Sequence, residues 1–294
     1  SSDVCSSDLM NPTTEPHEID YLYHIGLDTS MDLAAIFGDV RFVVMQGTQE
    51  RAFAFASYAS ERFNLPFTKE PIGKTDRYAL YKTGPILSVS HGIGMPSLKI
   101  IINEVCKALR YAGSLSKCHF FRSGTCGGIG VEPGKLVLTR LAVDQDMNPF
   151  YVQKTMREEQ HYPSSCVEEM LQEILDVAKT HHMDCVTGTT MTANGFYEDQ
   201  ARCDGFFCTF DSAQQKEFLT ACKNRGITNF DMEAQLFQAF TNRVGIPGQV
   251  ICTVIVNRMI SDQVTATGEQ LQEWMENNWK LILWYIGEIG RASC

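Results

Sequence analysis

The chain has 294 residues, a formal net charge of −10 and 44% hydrophobic residues. That length is enough to bury a substantial core in one large domain, and two domains are possible but not required. No apolar run is long enough to span a bilayer, and the acidic balance argues against nucleic acid or an anionic membrane as the main partner.

The first residues carry no basic, apolar leader, so a cytoplasmic protein is expected. The eleven cysteines are irregularly spaced and form no CxxC pair, which predicts reduced, mostly buried thiols rather than a disulfide framework. Cys126 and Cys203 stand apart because both fall inside motifs described below. Residues 1–9 (SSDVCSSDL) and 289–294 (IGRASC) translate back into common sequencing-adapter DNA. They are expected to be assembly artefacts, with Met10 the start, residues 10–20 a flexible N-terminus and residues 21–288 the domain. Cys5 and Cys294 belong to those end segments.

In chain order, residues 41–45 form an apolar, β-branched run and residues 50–63 a helical stretch. Further strands are predicted at 78–83, 86–91, 117–122, 135–143, 185–190 and 249–256. Further helices are predicted at 97–111, 165–181, 212–224, 232–244 and 268–285. In 97–111, Ile101, Val105, Ala108 and Leu109 share one face, as a helix packed on a sheet requires. Alternating strands and helices predict an α/β domain, with ligands at the C-terminal ends of strands.

Three segments place an arginine beside small residues at such positions. Gln46-Gly47-Thr48-Gln49-Glu50-Arg51 joins a strand to a helix. There Gly47 lets backbone amides approach an anion, and the helix N-terminus adds partial positive charge. Gly73-Lys74-Thr75-Asp76-Arg77 is the second segment. Arg122-Ser123-Gly124-Thr125-Cys126-Gly127-Gly128 is the third, its glycines expected to open a turn after a strand. Any one of these arginines alone reads better as a solvated or salt-bridged side chain. As a set they suit a tetrahedral oxyanion, which the guanidinium fork holds bidentately.

Ser90-His91-Gly92-Ile93-Gly94-Met95-Pro96-Ser97, followed by Ile100 and Glu104, resembles the signature of nucleoside phosphorylase family I. Lys99 and Val105 depart from it. From about Tyr21 to about Asp262 the chain resembles the animal-type uridine phosphorylases. The resemblance implies an α/β/α three-layer single domain with a mixed, partly barrel-like central sheet. It also implies that Gly47, Arg51, Arg122 and Thr125 hold phosphate, and that Arg77 reaches phosphate in the neighbouring subunit's site.

Phe196-Tyr197-Glu198-Asp199-Gln200-Ala201-Arg202 suits uracil. The Gln200 amide presents a donor and an acceptor side by side, Arg202 can hold a carbonyl oxygen, and Phe196 can cover the ring. Taken without the resemblance, the segment is a polar loop with a buried Phe196. Asp231-Met232-Glu233 is expected to open a helix, and an acidic helix start is common. The resemblance makes Glu233 the ribose ligand, with Met232 under the sugar and His24 reaching the 5′-hydroxyl across a subunit interface. Arg258 completes the base pocket. Purine-acting relatives place an Asp after this strand, where the chain has Val256-Asn257-Arg258; Asp262 is expected in a flexible loop.

The implied activity is phosphorolysis of uridine, and of deoxyuridine, to uracil and (deoxy)ribose 1-phosphate. Arg202, Gln200, Glu233 and Arg122 are its catalytic candidates, and phosphate is co-substrate. No cofactor or metal is expected; Tyr78 stands where some bacterial relatives hold an ion with Glu. The expected assembly is a homodimer sharing His24 and Arg77. Gln46, Ser123 and Asp231 depart from the family pattern. Two alternatives stay open: a weak or inactive paralogue that binds nucleoside or assembles with an active partner, and a purine nucleoside phosphorylase or nucleosidase.

Overall fold

The computed structural model describes residues 19–292; residues 1–18 and 293–294, with Cys5, Met10 and Cys294, lie outside the described residues. The described chain divides into two compact units. One holds residues 19–92, 96–121 and 240–248, the other residues 93–95, 122–239 and 249–292.

The first unit begins with an antiparallel pair, β1 (Tyr21–Leu22) and β2 (Leu27–Asp28), and a short helix α1 (Leu33–Phe37). Strand β3 (Phe42–Gln46) is buried along its whole length, as a strand covered on both faces must be. Helix α2 (Gln49–Phe63) starts where Thr48 Oγ1 accepts the Arg51 N–H at 3.2 Å, and it ends at Asn64 in the left-handed region. Strand β4 (Leu80–Thr83) runs antiparallel to β5 (Ile86–Ser90), which runs parallel to β3. Ala52 and Ala56 of α2 pack against Ala79 and Tyr81. Helix α3 (Gly94–Tyr111) buries Ile101, Val105, Ala108 and Leu109, the face expected of it.

Strand β6 (His119–Gly128) starts in the first unit, where the His119 N–H donates to the Arg41 carbonyl at 2.8 Å. It continues into the second unit. There the strands are β7 (Leu136–Val143), the hairpin β8 (Phe150–Thr155) and β9 (Glu158–Pro163), β10 (Cys185–Thr192), β11 (Ile227–Asp231) and β12 (Gly248–Asn257). The helices are α4 (Glu168–Thr180), α5 (Ser212–Asn224), α6 (Ala234–Val244) and α7 (Gly268–Ala292). The sheet order is β11-β10-β7-β12-β6, and an antiparallel β11–β6 pairing closes the ring. Because β10 is parallel to β7 and β11 while β12 is antiparallel to β7, the sheet is mixed and partly closed, as expected. Ile129, Val143, Met191, Leu219, Ile227 and Phe230 fill one core here.

Two local expectations are corrected. Residues 122–128 do not form a turn; they continue β6. Asp231 does not open a helix; it ends β11, and α6 begins at Ala234. No described helix is long and apolar enough to cross a membrane. The nine described cysteines are all free thiols, five of them buried.

Candidate active site

Arg122 sits within β6, 3% exposed. Its Nη1 donates to Asp231 Oδ2 at 2.8 Å and to Cys252 Sγ at 3.4 Å, and its Nη2 pairs with Glu233 Oε2. Burial opposes the charge, but the Glu233 and Asp231 carboxylates outweigh it and hold the guanidinium more firmly protonated than usual. Asp231 feels the opposite balance. Burial lifts its carboxyl to about 6, against the pull of Arg122. Thr192 Oγ1 donates to Asp231 Oδ1, and the Ala234 N–H to Oδ2, each at 2.9 Å. Both oxygens of this carboxylate are therefore engaged. Glu233 Oε1 accepts the Gly94 N–H at 2.5 Å, which ties the ribose candidate to the signature segment.

The glycines of β6 serve space rather than turning. A Cβ on Gly124 would stand 2.8 Å from Arg122 Nη1 and 2.9 Å from Nη2. Ser123, where an apolar residue is usual, donates to Asn278 Oδ1 at 2.9 Å. Asn278 Nδ2 in turn donates to the Ile251 carbonyl at 3.0 Å and to Thr253 Oγ1 at 3.2 Å. The Thr125 hydroxyl has no partner among the described residues, and burial pushes the Cys126 thiol well up.

Residues 196–202, the candidate base reader, form one tight turn. The Tyr197 carbonyl accepts the N–H of both Gln200 and Arg202 at 3.0 Å, with Ala201 between them at φ 52°. Gln200 is 5% exposed; its Nε2 donates to the Gly195 carbonyl at 3.3 Å, and Oε1 is unclaimed among the described residues. Phe196 is 48% exposed rather than buried, and Arg202 Cζ lies 4.4 Å from its ring centroid. Arg202 grips Asp204 through Nε (2.9 Å) and Nη2 (2.6 Å), and Nη2 also reaches the Asp262 carbonyl at 2.7 Å. Arg258 Nε binds Asp262 Oδ1 at 2.6 Å, and Nη2 holds the Gln200 carbonyl at 2.9 Å and the Ala201 carbonyl at 3.2 Å. Arg258 Nη1 is buried without a partner among the described residues. Asp262 lies in the irregular segment that follows β12, as expected, and its carboxylate is held there: Oδ2 also accepts from Gln215 Nε2 at 2.7 Å and from the Cys203 N–H at 3.2 Å. The roles of Asp204, Asp262 and Gln215 escape the sequence reading. Their only signal is an acid two residues after Arg202 and another four after Arg258.

In the first unit, Arg51 Nη1 lies 3.8 Å from where a Cβ on Gly47 would stand. Its guanidinium has no anionic partner among the described residues, and burial lowers its pKa. Both amide atoms of Gln46 are buried and unpartnered among the described residues. Arg77 is exposed and forms no ion pair with a described residue. His24 Nδ1 pairs with Glu104 Oε1 at 2.6 Å. Met232 is half-buried between Asp231 and Glu233. The structure thus gathers Arg122 with Glu233, and Gln200 with Arg202, Phe196 and Arg258, in the second unit; in the first it sets Arg51 beside Gly47.

The domain model of the phosphorylase superfamily matches residues 41–283. The uridine and thymidine phosphorylase of Caenorhabditis elegans is 35% identical, over 91% of this chain and 90% of that protein. A protein of Schistosoma mansoni named inactive uridine phosphorylase B is 34% identical, over 86% of each chain. The crystal structure of Schistosoma mansoni uridine phosphorylase in complex with thymidine matches at a TM-score of 0.88 and 30% identity, covering 95% of this chain and 97% of that one.

Proposed function

Since the chain belongs to the phosphorylase superfamily, among the uridine phosphorylases, we propose that it cleaves uridine, and 2′-deoxyuridine, with inorganic phosphate. The products are uracil and ribose or deoxyribose 1-phosphate. The observation that carries this reading is the single turn that presents Gln200 and Arg202 side by side, with Arg258 bonded to its carbonyls. A purine would call for an acid after β12. Here the residues are Asn257 and Arg258, and the Asp262 carboxylate is already held by Arg258, Gln215 and the Cys203 N–H.

The C1′–N1 bond breaks first. Its electron pair goes to uracil, and Gln200 and Arg202 hold the resulting anion; fixed charge placed where charge develops is the main catalytic term. Arg258 Nη1 is a further buried donor for the same ring. Positive character grows on the ribose, positioned by Glu233, with Met232 beneath it. Phosphate, held by Gly47, Arg51, Arg122 and Thr125 and by Arg77 of a second copy, then forms the C1′–O bond. Holding it in line with C1′ removes much of the entropic barrier. The reading needs neither metal nor organic cofactor, and it places a homodimer sharing His24 and Arg77 in the cytoplasm. A panel of uridine, deoxyuridine, thymidine, inosine and adenosine, with and without phosphate, tests it. Uracil release only with phosphate is expected; preference for a purine nucleoside would refute it.

The relative named inactive favours one second reading, a catalytically weak paralogue. Gln46, whose side-chain amide next to Gly47 has no partner among the described residues, is the feature that supports it. Nucleoside binding without turnover in the same panel would select this reading.

A further inference from the structure

Glu104, a residue 8% exposed on α3, takes no part in the reaction outlined above, yet its carboxylate is devoted to one turn of the chain. The His24 N–H lies 2.9 Å from Oε2 and 3.1 Å from Oε1, and the Ile25 N–H lies 3.1 Å from Oε2. His24 Nδ1 lies 2.6 Å from Oε1. The far side of the turn is held too: Thr75 Oγ1 donates to the His24 carbonyl at 2.6 Å, and the Lys74 N–H to the Ile25 carbonyl at 3.3 Å. Neither the backbone of His24 nor its ring is therefore free to choose its direction.

An ionised carboxylate only accepts hydrogen bonds, so the ring nitrogen facing Glu104 is the one that carries the proton. Nε2 of the neutral ring is then left with a lone pair, on a side chain 41% exposed. We propose that Glu104 is a positioning residue for the sugar 5′ end: it fixes the tautomer and direction of His24 so that Nε2 accepts the proton of the nucleoside 5′-hydroxyl. The proposal rests on the role given to His24 above. It makes the 5′-hydroxyl a recognised group, with Glu104 acting on substrate only through His24. A carboxylate behind an imidazole fixes ring orientation in the same way at metal sites.

Glu104→Gln tests this. The glutamine keeps the size of the side chain and one acceptor for the backbone N–H groups, but it offers Nδ1 an N–H instead of a second carboxylate oxygen. With uridine, kcat/KM should fall about tenfold, the worth of one hydrogen bond, while with 5′-deoxyuridine it should change by less than about twofold. In a His24→Ala background the same substitution should have no further effect on uridine. Equal losses on both substrates would mean that Glu104 only supports the fold, and would overturn the proposal. The tautomer is read separately from activity. The ¹⁵N shifts of the wild-type His24 ring should show Nδ1 protonated and Nε2 bare; a bare Nδ1 overturns the proposal. Should the wild-type protein not cleave uridine at all, the proposed reaction fails while the ring shifts still decide the role of Glu104.

Discussion

Gly127 lies against the side chain of Arg258: a Cβ there would stand 2.8 Å from Arg258 Cγ and 3.1 Å from Cδ. Gly124 makes the same room for Arg122, whose guanidinium cannot step aside because two carboxylates hold it. Two glycines of one strand thus clear space for two arginines of the candidate site. Gly127→Ala and Gly124→Ala should each lower uridine turnover by about 100-fold, the cost of displacing a positioned group by an ångström. Steady-state kinetics on protein of unchanged circular dichroism checks this, and near-normal turnover would show that the arginines can relocate freely.

Arg202 is held by Asp204 and lies over the Phe196 ring, and the proposed reaction needs it as a donor to the base. Arg202→Ala should lower kcat by about 10²–10³-fold, as loss of one oxyanion-stabilising donor does elsewhere. Arg202→Lys should not restore it, because an ammonium cannot keep both oxygens of Asp204. Stopped assays with saturating uridine and phosphate decide the matter; full activity in the lysine variant would show that the guanidinium of Arg202 is not needed.

Ser123 and Asn278 tie β6 to α7 inside the core. Ser123→Ala leaves Asn278 Oδ1 buried without its donor, so unfolding free energy should drop by about 1–3 kcal/mol. Uridine turnover at low temperature should be unaffected, since the hydroxyl serves the core rather than the substrate. Urea unfolding measured beside activity tests both halves of the prediction.

Asp231 titrates within reach of experiment. The folded protein raises its carboxyl to about 6 from the ordinary 3.8, so it holds that proton more tightly than the unfolded chain does. The stability this group contributes is therefore fully present below 3.8 and is lost as pH rises through about 6. Across that interval, wild-type stability relative to Asp231→Asn should fall by up to roughly 1.4 kcal/mol per pH unit, then level off. Parallel stability curves for the two proteins would contradict the assignment.

Much of the fold is legible because apolar periodicity and caps agree. Helix α5 falls on its predicted residues, 212–224, where Asp211 and Gln214 form a capping box. Helix α2 is off by one residue at its start. The hairpin β8–β9 is not legible: its residues are largely exposed, and its turn at Met156 and Arg157 takes positive φ without a glycine to announce it. Strand β11 escapes because Ile227–Asp231 is short and polar at both Thr228 and Asn229. At the site, residue types are legible through the resemblance. The partners that hold them are less so: Asn278 and Glu104 reach their targets through tertiary contacts that no local pattern encodes, and Asp204, only two residues from Arg202, shows its role only once the turn is folded.

³¹P NMR of the protein with uridine and inorganic phosphate follows both sides of the proposed phosphorolysis in one sample. Inorganic phosphate should decline as a sugar 1-phosphate resonance appears, with one uracil formed for each phosphate consumed. Uracil released with free ribose while phosphate stays constant, or no uracil at all, would contradict it.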